Sequence, residues 1–192
     1  MLVYLLNLFV AESSFGFAPR FVLVLDLGPF LFVGSPKPRK GLDVALEAFK
    51  IFSDENKGFE FVVVGHVSEG EYMARIRNFI RDQQLNVRFV GQVEQEVLVH
   101  LFQTCTAHVL PSVSEPFYFE GFGLVHLEAN RCGALTIGSK DTANEEVIAE
   151  GTSGFLVPQN NSVELANAMR AAVEKVDHEK DRVREQCVEH SR

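Results

Sequence analysis

Two carboxylates stand eight positions apart in "EGFGLVHLEANRCG", residues 120 to 133, in a setting that would ordinarily hold none. Glu120 immediately precedes the glycine-spaced turn Gly121 to Gly123, and Glu128 falls among Leu124, Val125, Leu127 and Ala129. If that turn opens a helix, its first backbone N–H groups lack intrahelical partners and carry the positive end of the dipole, so an anion belongs there. Glu128 then lies roughly 12 Å along the axis from Glu120 and about 80° round from it. A carboxylate accepts well from two vicinal hydroxyls. A diphosphate at the helix mouth with a hydroxyl-bearing ring on either side therefore fits the pair: a nucleotide-sugar, with one acid on the sugar and one on the ribose. Taken alone, a dipole-favoured acid at a helix start and a solvated acid on a helix face account for the two residues more simply.

From residue 30 onward, β-rich runs alternate with amphipathic stretches. The runs at 30–34, 59–65, 87–91, 107–112, 134–139 and 154–158 predict strands, and those at 41–56, 69–84, 95–105, 121–132, 144–151 and 162–176 predict helices. Nearly continuous apolar strands separated by helices imply a parallel sheet covered on both faces, an α/β doubly wound, Rossmann-like domain. Ligands of such a sheet bind beyond the carboxyl ends of its strands. That places the informative residues in the turns "GSPKPRKG", "GHVSEG", "GQVEQE", "PSVSEPFYFEGFG" and "SKDTANEE". No GxGxxG follows the first strand, which counts against a dinucleotide-linked oxidoreductase. Residues 30–176 form the expected domain. Residues 1–29 fit the alternation poorly and read as an extra strand or the remnant of a missing N-terminal domain, and 177–192 read as a charged tail, a solvated helix or a frayed end.

A chain of 192 residues, 46% hydrophobic, suits one such domain. Its net charge of -8 excludes a nucleic-acid partner, since only "KPRK" (37 to 40) concentrates positive charge. Cys105, Cys132 and Cys187 have neither disulfide-framework nor metal-ligand spacing, which fits a reducing cytoplasm. The apolar runs near the start are interrupted by Glu12, Asp26 and Pro29, short of a ~20-residue span, so peripheral membrane contact stays open but a crossing is not expected.

Six segments arrive in a telling order: "FLFVGSPKPRKGLDVALEAF", "FVVVG", "VRFVGQV", "VLPS", the helix from Glu120 to Glu128, and "EEVIAEGTSGFLVP". Over about residues 30 to 175 this series resembles the retaining glycosyltransferases of the GT-B fold, family 4 (glycosyl transferases group 1), with Glu120 and Glu128 as their paired acids. The resemblance implies the C-terminal, donor-binding half of such an enzyme. By position it assigns Glu120 to the donor sugar as the candidate catalytic acid, and Glu128 to the ribose hydroxyls. Backbone amides of Phe122, Gly123 and Leu124 would meet the diphosphate or sugar, Lys40 the diphosphate, and the turn from Gly91 to Val93 the base. His66, in a rim turn, is a further candidate donor contact, although a solvated loop histidine is the simpler reading; His126 reads as a surface or packing residue. After Gly34 the family carries an arginine where this chain has Ser35, which leaves Arg39 or Lys37 as possible second cations. Thr142 and Ala143 stand in place of a usual Gly-Gly pair, and Thr106 in place of an aspartate. No metal or separate cofactor is expected, because the donor is itself the nucleoside-diphosphate sugar, and Lys40 with the helix dipole would stabilise the leaving diphosphate.

A GT-B enzyme has two Rossmann-like domains and this chain has room for one. The acceptor, of unknown identity, is therefore expected to meet a separate N-terminal domain or subunit. Two readings stand: half of an enzyme that transfers a sugar with retention of configuration, and a non-catalytic nucleotide-sugar-binding module or truncated fragment that needs a partner.

Overall fold

Runs of β-branched and aromatic residues become parallel strands in the computed structural model, which describes residues 28 to 114 and 123 to 192. Expectations for residues 1–27 and 115–122 lie outside the described residues. Strands β1 (Phe30–Val33), β2 (Phe61–Val64), β3 (Val87–Gly91), β4 (Ala107–Val109), β5 (Thr136–Ser139) and β6 (Gly154–Val157) form one sheet in the order β3-β2-β1-β4-β5-β6. Every pairing is parallel. Phe30, Leu31 and Phe32 of β1 and Phe61, Val62 and Val63 of β2 are wholly buried, which is why both strands are unbroken apolar runs rather than alternating ones.

Helices α1 (Leu42–Glu55), α2 (Glu71–Asp82) and α6 (Ser162–His190) cover one face. There Phe30 meets Phe52 edge to face at 5.1 Å, and Phe52 meets Phe59 at 5.0 Å. Each such buried ring contributes about 1.5–3 kcal/mol through burial. Helices α3 (Gln95–Thr104) and α4 (Leu124–Arg131) cover the other face, setting Phe102 and Ala129 against Leu31, Val62 and Val64. Among the described residues, no helix is long and apolar enough to cross a membrane.

Two expected elements change length. The helix expected over 144–151 shrinks to α5 (Asn144–Val147). Ile148 leaves helical geometry at φ -117° and ψ 114°, and Gly151 donates its N–H to the Gly154 carbonyl at 2.8 Å. The remaining residues are thus used in the turn that feeds β6. In the opposite direction, α6 does not stop near residue 176 but runs to His190 through a break at Glu179 (φ -137°, ψ 33°). The charged tail is not simply solvated. Its apolar residues follow Val176 at intervals of seven and four, and Val183 and Cys187 are 2% and 0% exposed. Beyond the break the helix clasps the edge where strands begin: Arg184 donates to the Gln103 carbonyl at 2.5 Å, and the His190 ring lies 3.1 Å from the Val147 carbonyl.

Candidate functional site

The direction of winding reverses between β1 and β4, and the turns that leave those two strands border the crevice. After β1 the chain passes Gly34 and Ser35 into a 3₁₀ turn, Pro38–Lys40, which ends at Gly41 in the left-handed region (φ 68°). Gly41 also abuts the Pro111 carbonyl so closely that a Cβ would collide with it. Val113 donates its N–H to the Arg39 carbonyl at 2.8 Å. The turn carrying Arg39 and Lys40 is therefore fastened to the chain leaving β4, with both basic residues half-buried.

On the β4 side, α4 begins at Gly123 (φ 57°, ψ 34°) with no side-chain cap. Among the described residues the His126 N–H is taken by the Gly123 carbonyl at 2.8 Å, while those of Leu124 and Val125 meet no acceptor. A Cβ on Gly123 would stand 2.7 Å from Asn144 Oδ1 and 3.2 Å from His126 Cδ2, so glycine is required by conformation and by space. Asn144 is fully buried, yet neither its Oδ1 nor its Nδ2 has a hydrogen-bond partner among the described residues. Buried amides are almost always paired, and an unpaired one beside a helix N-terminus marks a place built for polar contact. Leu124 is 62% exposed, and Glu128, one turn further on the same outward face, is exposed, with a carboxylate that makes no hydrogen bond or ion pair with a described residue. Gly123, Leu124 and Glu128 therefore share one open flank of α4. Glu120 and Phe122 lie outside the described residues.

Beneath this helix mouth, His108 of β4 and His126 of α4 meet edge to face with ring centroids 5.0 Å apart, and Phe102 closes on His108 at 5.7 Å. Both histidines are fully buried and none of their ring nitrogens has a hydrogen-bond partner among the described residues. Burial, then the positive charge of Lys40, lowers the pKa of His126 to about 3. Burial, then the neighbouring His126 and Lys40, holds His108 well below its usual value. Both rings are neutral, and the Lys40 charge is felt at the foot of α4, where the sequence reading wanted a cation. His126 is a packing residue. His108 was not foreseen, although a histidine inside "AHVLPS" is itself an irregularity in an apolar strand.

The remaining candidates lie on the same carboxyl edge of the sheet. Gly34 donates to the Val64 carbonyl at 2.8 Å, His66 is exposed after β2, and Val93 is half-buried after β3. Thr142, where the resemblance anticipates glycine, donates to the Ser139 carbonyl at 2.8 Å and accepts the Asn144 N–H at 3.1 Å, which seats Asn144. Thr106 only fastens the start of β4, donating to the Gly28 carbonyl at 2.6 Å. Burial pushes the Cys105 and Cys187 thiols up to about 12, so both stay protonated. Among the described residues no three His, Cys, Asp or Glu side chains gather as a metal cluster. A hollow of about 890 Å³ lies at the opposite edge of the sheet among the ends of α3, α4 and α6. Helix C-termini present carbonyls and a negative dipole, which makes that hollow a poor host for a diphosphate.

The fold and the glycine-started helix at the switch point define a glycosyltransferase domain. Residues 25–190 match the family Glycosyl transferases group 1, and the chain belongs to it. The chain is 29% identical over 136 residues to the uncharacterized glycosyltransferase MJ1178 of Methanocaldococcus jannaschii, covering 70% of this chain and 35% of that protein. It is 27% identical over 164 residues to the phosphatidyl-myo-inositol mannosyltransferase of Mycobacterium leprae, covering 84% and 42%. Among solved structures, Anabaena Alr3699/HepE in complex with UDP-glucose superposes with a TM-score of 0.72 at 22% identity, over 85% of this chain and 44% of that one. A glycosyltransferase from Rickettsia africae superposes with a TM-score of 0.73 at 18% identity, over 85% and 42%. The six-stranded parallel sheet is thus that of GT-B glycosyltransferases, and the chain spans less than half the length of these relatives.

Proposed function

We propose that the chain is the donor-binding half of a retaining glycosyltransferase. The observation that carries this reading is the meeting, at the switch point, of the Lys40 turn and the uncapped α4 N-terminus, with the buried, unpaired Asn144 amide against Gly123. On this reading the diphosphate of a nucleoside-diphosphate sugar takes the free amides of α4, Lys40 supplies the cation, Glu128 accepts from the ribose hydroxyls and Glu120 from the sugar. The bond from the anomeric carbon to the diphosphate breaks, with its electron pair leaving on the diphosphate. The oxygen of an acceptor hydroxyl then bonds to that carbon on the same face, and its proton passes to the departing diphosphate oxygen. Lys40 and the helix dipole stabilise the departing charge. Support for the donor class comes from the HepE complexes with UDP and with UDP-glucose and from the pneumococcal O-GlcNAc transferase GtfA, captured with UDP and GlcNAc. The acceptor wall of the cleft belongs to a facing domain or subunit.

A second reading, a nucleotide-sugar-binding module without transferase activity, draws on Ser35, which deprives the diphosphate of a second cation. Calorimetric titration of the purified chain with UDP, GDP and ADP tests the shared premise: saturable binding of one is expected, and binding of none at millimolar concentration would sink both readings. Transfer assays with UDP-glucose separate them. Activity that appears only when a facing domain is added supports the enzyme half, and none with any partner supports the module.

A further inference from the structure

Gln159 follows β6 in a rigid turn, between Pro158 and Asn160, which is left-handed at φ 55°. Asn161 then caps α6 by accepting the Glu164 N–H at 3.0 Å. From this platform the Gln159 amide spans two other turns. Its Oε1 accepts the Ser114 N–H at 2.8 Å, and its Nε2 donates to the carbonyls of Lys140 at 3.0 Å and Asp141 at 3.2 Å. Ser114 adjoins Val113, whose own N–H is bonded to Arg39 in the lysine turn. Asp141 is equally committed on its far side, since its N–H is accepted by Glu145 Oε1 at 3.0 Å. Thr142 then seats Asn144, which presses on Gly123. One side chain thus closes a belt of hydrogen bonds around the crevice, from the Lys40 turn through residues 113 and 114 to the β5–α5 turn, where Asn144 packs against the start of α4.

We infer that Gln159 is a positioning residue of the donor site: it touches no donor atom but fixes the distance between the chain leaving β4 and the Asn144 wall. The inference rests on the donor-binding reading. A mere surface glutamine would leave both its targets unmoved when removed, because exposed single hydrogen bonds contribute little. Here one amide holds three backbone groups of two separate turns.

The test compares wild type with Gln159→Ala and Gln159→Glu, the latter keeping an acceptor for Ser114 but setting a carboxylate against two carbonyls. Amide exchange by NMR and the dissociation constant for UDP are read together. Gln159→Ala should speed exchange at Ser114 and weaken UDP about 10-fold, the order expected for one lost set of hydrogen bonds, with little change in melting midpoint. Gln159→Glu should keep Ser114 protected and still weaken UDP. Unchanged exchange at Ser114 in Gln159→Ala, or a UDP constant within twofold of wild type in either variant, overturns the positioning role alone. Wild type that binds none of UDP, GDP or ADP overturns the donor reading and this role with it.

Discussion

His108 and His126 face each other edge to face at 5.0 Å, fully buried and unpaired, under the helix that opens at Gly123. Both are held neutral, and neutrality ties stability to pH. A histidine whose folded pKa lies below its unfolded value of about 6.5 stabilises the fold fully above that value and costs stability as pH falls toward the folded one. For His126 the window runs from about 6.5 down to about 3. Thermal midpoints should be flat from pH 8 to 7 and fall below pH 6. His126→Phe should lessen that fall, and an equally steep acid limb in the variant would exclude His126 as its origin.

Lys40→Ala should weaken UDP binding by about 1.5–3 kcal/mol, the range for a hydrogen bond to a charged group. Its unliganded midpoint should change little, since backbone bonds and the left-handed Gly41 hold the turn. If Arg39→Ala loses binding and Lys40→Ala does not, the cation assignment is reversed.

Glu128→Gln should weaken UDP and UDP-glucose alike, because both contain the ribose, whereas Glu120→Gln should weaken only UDP-glucose. A ligand at 100 times its dissociation constant adds about 2.7 kcal/mol, and each kcal/mol moves the midpoint of a chain this size by roughly 2–4 °C. Equal UDP-induced shifts in wild type and Glu128→Gln would reduce Glu128 to a solvated helix-face acid.

Gly123→Ala places a methyl in the left-handed region, which costs about 1–2 kcal/mol per residue, and drives it against Asn144 Oδ1. The midpoint should drop by at least about 3 °C. Adding Asn144→Ala should recover part of that loss, since contacting residues do not act additively. Strict additivity of the two changes would show that the crowding at Gly123 is relieved elsewhere.

The strands and the switch-point architecture were legible because buried parallel strands leave unbroken apolar runs such as "FLFV" and "FVVV". Lys40 and Gly123 were legible for a related reason: a basic turn after one strand and a glycine-started helix after another are local patterns. The placing of Asn144 and Gln159 was not. It depends on side chains that meet another segment of the chain, 45 residues away in the case of Gln159 and Ser114, and no local periodicity records such a contact. The tail misled for a different cause, since Val183 and Cys187 are sparse apolar positions among charges whose burial depends on the bend at Glu179.

That bend divides the longest helix into two lengths that need not melt together. Helical cooperativity passes through consecutive backbone bonds, and a residue at φ -137° interrupts it. Residues before the break run along α1, where Arg170 pairs with Glu55 at 2.9 Å, and share the fate of the sheet. Those after it hold on by two buried side chains and a few bonds to carbonyls at the far edge. They form a separate cooperative unit that opens at lower free energy than the sheet. The far edge can therefore breathe while the edge that bears the Lys40 turn and the start of α4 remains intact.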